Sequence, residues 1–171
     1  MPKESNLTVL GIDPGLANLG LAIVRQNNRD FEYLDSQLVR THPKTKQSLR
    51  LKKLYDACKL LIIKHKPSTM AIEGQFFQGQ RGVSFKVGQA VGVCLLAAAE
   101  YDLDVYEYSP RQVKQTLVGT GRADKAQVSY MVRAMLSLKQ TPESHHVADA
   151  LALAITHISS YRLQSLEETR K

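Results

Sequence analysis

The chain has 171 residues, 43% of them hydrophobic, enough for one domain of ordinary size with a sizeable core. Lys and Arg number 23 against 16 Asp and Glu; the net charge of +7 favours a polyanionic partner and says nothing about fold. Cys58 and Cys94 lie far apart with no metal-type spacing, which excludes a disulfide framework. Residues 1–8 lack a signal-peptide apolar run, and apolar stretches such as 147–155 are too short to cross a bilayer, so a soluble cytoplasmic protein is expected. Residues 9–12 read as a short buried strand, 15–20 as a turn and 21–24 as the returning strand. Residues 31–39 alternate as a third strand, giving an antiparallel meander. From Gln47 to His65 apolar residues recur at helical spacing, and Pro67 marks the stop. Residues 69–72 form a fourth strand, 83–99 a helix and 105–108 a fifth strand. Residues 110–118 and 124–138 are helices separated by Gly119 and Gly121, and a last helix runs over 144–159. This order predicts an α/β domain over 1–160, a mixed five-stranded sheet flanked by helices, with a polar tail over 161–171 expected to be disordered.

Three acids punctuate these elements. Asp13 ends the first strand and is followed at once by Pro14-Gly15; Glu73 closes the fourth strand before Gly74. Each has an ordinary structural reading, as a turn-starting aspartate or a strand-end glutamate paired with a lysine. Both also sit at the carboxyl ends of strands, where open α/β sheets place ligands. If their strands are neighbours, the two carboxylates repel and a counter-cation is expected. Asp149 follows His145-His146 at the start of the apolar last helix, with His146 and Asp149 three residues apart on one face. The helix dipole would favour an acid near this end, but Asp149 comes after a full turn and sits among Ala and Leu, where an unpaired carboxylate is expensive. Three acids and a histidine on separate elements suit hard divalent cations, and two such ions can assist phosphodiester hydrolysis.

The blocks at residues 10–15, 71–73, 111–116 and 148–152 resemble the RuvC family of Holliday-junction resolvases, in matching order and spacing from about residue 9 to 157. The resemblance implies an RNase H-like fold and a homodimer that nicks four-way DNA junctions symmetrically in recombination and repair. It also implies a four-residue metal site of Asp13, Glu73, His146 and Asp149, and, for the family, a branch-migration motor as partner. His146 stands where many members carry a carboxylate, and His145 is a rival for the role. An imidazole ligand predicts Mn²⁺ favoured over Mg²⁺, with activity falling as pH drops through roughly 6.5. Lys114 and Lys125 match basic residues placed near the scissile phosphate. Lys125 opens a helix whose amides could assist in binding phosphate, and its amine could stabilise transition-state charge.

Phe76 and Phe77, adjacent in the Gly-rich loop 74–82, read either as core packing or as a stacking wedge at the junction centre, Phe76 foremost. Arg81, Lys86, Arg111 and Arg122 are further candidate DNA contacts. Residues 36–66 hold nine Lys and Arg side chains, many of which a solvated helix face would explain. Gly88 and Gly92, four apart, suit close helix approach, either to the chain's own sheet or to a second copy. The hairpin at 13–20 also resembles that of actin-like ATPases, which need a second domain this chain has no room for. A non-catalytic junction-binding protein and a nuclease acting on another nucleic acid are the remaining alternatives.

Overall fold

The structure, a computed structural model, describes residues 6–74 and 85–168, with side chains as far as Tyr161. Strands β1 (Thr8–Asp13), β2 (Asn18–Asn27) and β3 (Asp30–Arg40) are followed by helix α1 (Gln47–His65) and strand β4 (Thr69–Glu73). Helix α2 (Phe85–Glu100), strand β5 (Asp104–Tyr108) and helices α3 (Pro110–Val118), α4 (Lys125–Met135) and α5 (His145–Glu168) complete the order. The sheet order is β3-β2-β1-β4-β5. β1, β2 and β3 pair antiparallel, whereas β1, β4 and β5 pair parallel, so the sheet is mixed, as expected.

β1 is central and covered on both faces, which explains why it reads as a continuous apolar run. Leu10 and Ile12 join Leu54, Cys58, Ile62, Ala90 and Cys94 in the cluster under α1 and α2. Val9 joins Val113, Val132, Leu151 and Ile155 under α3, α4 and α5 on the other face. The result is three layers around two buried clusters.

Two helix ends differ from expectation. α4 stops at Met135, because Leu136 caps it and Ser137 turns into the left-handed region at φ 51°. α5 continues past residue 159 to Glu168. Its last described side chains hold it to β5: the Tyr108 hydroxyl meets His157 Nδ1 at 2.7 Å, and His157 packs between Tyr106 and Tyr161. Residues 169–171 lie outside the described residues, as do Phe76, Phe77 and Arg81. Among the described residues no helix is long and apolar enough to cross a membrane.

Candidate active site

Register brings the first two acids together. β1 and β4 run parallel with Ile12 opposite Ile72, so Asp13 and Glu73 follow side by side at the carboxyl ends of two central strands. The third element arrives through two glycines. A Cβ on Gly11 would overlap the carbonyl oxygen of Ala150, and one on Gly20 would overlap that of His146. α5 therefore lies directly on β1 and β2, closer than any side chain would permit. Ser144 starts the helix by accepting from the Val147 amide at 3.2 Å. His146 and Asp149 then face the strand ends, and His146 Nδ1 donates to Asp13 Oδ2 at 2.6 Å. His145 is exposed at the rim of the same cavity. Gly20, which admits the helix, was not singled out by sequence reasoning; its place opposite Asp13 in the β1–β2 ladder was the available signal.

These groups line one cavity of about 590 Å³, with Lys114 and Lys125 on its wall and Val113 and Val128 beneath. Burial dominates the electrostatics of the acids. Burial raises Glu73 to about 7 from an ordinary 4.5; repulsion from Asp13 and Asp149 adds to this, and Lys125 opposes it. Burial likewise raises Asp13, against the hydrogen bond from His146 and with repulsion from Asp149. Burial raises Asp149, opposed by Lys125 and both histidines. Lys125 therefore acts on all three carboxylates.

The donor set, three carboxylates and one imidazole, suits a divalent cation chemically. As the side chains lie, no group of three or more His, Cys, Asp or Glu among the described residues is arranged to hold a metal ion. The Asp13–His146 hydrogen bond occupies two of the four candidate ligands, so gathering all four around an ion requires that contact to open.

A pH test follows from Glu73. Its folded-state value lies above its unfolded one, so between about pH 4.5 and 7 the folded chain holds a proton that the unfolded chain has released. This contribution is present at low pH and is lost as pH rises through 7. Glu73→Gln should therefore gain stability relative to the parent between about pH 5 and 8. The expected gain is on the order of 1 kcal/mol once partial solvent exposure is discounted. Denaturant melts in the presence of a chelator measure the difference; a pH-independent difference would contradict the assignment.

The other basic candidates are dispersed. Lys125 is the first residue of α4, but the Gln127 amide behind it is already taken by Asp124 Oδ1 at 2.8 Å in a capping box. Of the amides that open α4, that of Gln127 is taken by the cap, and the Lys125 amine lines the acidic cavity. Arg111 and Arg122 line a separate cavity with Thr120 and Gly121, where the Arg111 stem packs over Gly121. Lys86 is exposed near the start of α2 and is not among the residues lining the acidic cavity. Gly88 and Gly92 face open space, so they do not serve packing of α2 onto its own sheet.

The model of the family described as crossover junction endodeoxyribonuclease RuvC matches residues 9–157. A protein of that name from Alkaliphilus metalliredigens is 42% identical over 160 residues, spanning 94% of this chain and 98% of the relative. The solved structure of Thermus thermophilus RuvC superposes with a TM-score of 0.84 at 38% identity, covering 92% of this chain and 97% of that one. The same protein in complex with Holliday junction substrate gives 0.86 at 39%, covering 92% and 96%. With the family model matched over residues 9–157 and the fold in agreement, this chain belongs to the RuvC family of crossover junction endodeoxyribonucleases.

Proposed function

We propose that this chain resolves four-way DNA junctions by hydrolysing phosphodiester bonds at the Asp13–Glu73–Asp149 site, in recombination and repair. The observation that carries the reading is the convergence of three carboxylates from β1, β4 and α5 in one cavity, each raised from its ordinary pKa by burial. Buried carboxylates that repel one another favour a divalent counter-cation. Two ions bound there would activate the attacking water and stabilise the leaving oxygen. Asp13, Glu73 and Asp149 would hold them, with His146 as fourth ligand in preference to His145, since His146 already reaches Asp13. Lys114 and Lys125 orient the phosphate and offset its charge in the cavity.

The imidazole favours Mn²⁺ over Mg²⁺. The open faces of Gly88 and Gly92 and the exposed Phe85 and Leu96 on α2 support a homodimer, which would present two sites to two symmetric strands. Work on a chromosomal junction fits a cytoplasmic protein, and cooperation with a branch-migration motor fits the same role.

Substrate choice tests the reading. A four-way junction and an RNA–DNA hybrid are offered separately in Mg²⁺ and in Mn²⁺, and again with chelator. Junction cutting that needs the cation and is faster in Mn²⁺ is the expected result. Preferential cutting of the hybrid would assign the same site to a different nucleic acid.

A further inference from the structure

We propose that a second, basic cavity at the start of α1 is a phosphate subsite that holds the DNA backbone of the junction away from the bond being cut. It rests on the junction-cutting reading and extends it to residues outside the acidic site. The cavity measures about 450 Å³ and is lined by Asn18, Arg40, Thr41, His42, Arg50 and Lys53, among others. No Asp or Glu is among the described residues on its wall.

Arg50 is the decisive side chain. It is 6% exposed, and its Nε donates to Thr41 Oγ1 at 2.8 Å, while that hydroxyl donates to the Leu16 carbonyl. Among the described residues no carboxylate pairs with it. A guanidinium taken this far from water without an anion is costly, and its remaining N–H groups form a fork matched to two phosphate oxygens. Lys53 Nζ donates to the Arg40 carbonyl at 2.8 Å, which ties the lysine to the rim, where the exposed Arg40 also lies. The same cavity meets the start of a 19-residue helix that has no side-chain cap and no acid in its first turn, so the positive end of its dipole adds to the field.

The position connects the cavity to the chemistry. Asn18 and Arg40 also line a neighbouring cavity walled by His145 and His146, and both histidines line the acidic site. One path therefore leads from the carboxylates, past the start of α5, to Arg50. A strand whose scissile phosphate sits at the acids can lay a further phosphate against Arg40, Arg50 and Lys53.

The test compares two double variants that lose the same charge. Arg40→Ala/Lys53→Ala removes exposed cations of the cavity. Lys52→Ala/Lys64→Ala removes exposed cations on α1 that pair with Asp56 and Asp35 instead. Binding to a four-way junction is titrated over a range of salt with chelator present, and cutting is measured at saturating junction. The cavity variant should bind on the order of tenfold more weakly near 0.1 M salt, with the slope of log affinity against log salt reduced by about 2. Its cutting rate at saturation should be unchanged, and the control should bind within about twofold of the parent. Equal affinity and slope in parent and cavity variant, or equal losses in both variants, would overturn the subsite and leave the functional reading intact. A parent chain that neither binds nor cuts the junction would overturn both.

Discussion

Asp149→Asn should bind the four-way junction at least as tightly as the parent chain and cut it about a thousandfold or more slowly. The substitution keeps the shape of the side chain and removes one negative charge from a cavity that must accept a phosphodiester. A rate loss of that size corresponds to about 4 kcal/mol of lost transition-state stabilisation, in keeping with removal of a ligand from a metal-assisted hydrolase. The same change should raise the melting temperature of the metal-free protein. Asp149 sits above its ordinary carboxylate range because burial penalises its charge, so the neutral amide relieves a cost that the folded state carries at neutral pH. Gel-shift binding, cutting rate and a thermal melt in chelator read the three effects. Cutting near the parent rate would remove Asp149 from the chemistry.

Gly20→Ala should be among the most damaging single-methyl additions in the chain. The new Cβ would overlap the backbone carbonyl of His146, which cannot swing aside as a flexible side chain can. Either β2 or the start of α5 must move, and α5 is the element that presents His146 and Asp149 to Asp13. The expected cost is about 3 kcal/mol or more in stability, from overpacking against a rigid backbone. Whatever folded fraction remains should cut poorly, since the site depends on helix placement. Gly88→Ala is the matched control: its Cβ meets nothing, and alanine is the better helix former, so monomer stability should hold or rise. Denaturant melts of both variants decide the matter, and equal stability would refute the close-approach account.

The two parallel strands that carry Asp13 and Glu73 were legible because both are short apolar runs ended by an acid and a turn residue. A strand buried on both faces leaves that pattern whatever its neighbours. Their adjacency was conditional on pairing, which periodicity does not specify; the parallel register of Ile12 with Ile72 supplies it. His146 and Asp149 were visible as an i, i+3 pair, but their distance from Asp13 depends on Gly11 and Gly20, where the informative feature is the lack of a side chain. The hydrogen bond from His146 to Asp13 joins residues 133 positions apart and has no local signature.

Helix ends were read less well, for a similar reason. α3 and α4 start in capping boxes at Ser109 and Asp124, which fix those ends locally. α5 continues beyond residue 159 through two serines of weak helix preference, next to a contact of His157 with Tyr108 from β5 that has no local signature. The basic run of residues 36–66 looked uniform. Packing separates it: Lys52, Lys59 and Lys64 pair with acids, while Arg40, Arg50 and Lys53 share a cavity without one.

Cutting of junction DNA by the carboxylates gathered on β1, β4 and α5 is open to direct test. Mapping nicks on a synthetic four-way junction and on a linear duplex of the same sequence, with Mn²⁺ present, tests it most directly. Paired nicks at symmetric positions on two opposed strands of the junction, with the duplex intact, are the expected result. Tight junction binding with no nick in either DNA would contradict it, and would make the acidic cavity a feature of a binding protein.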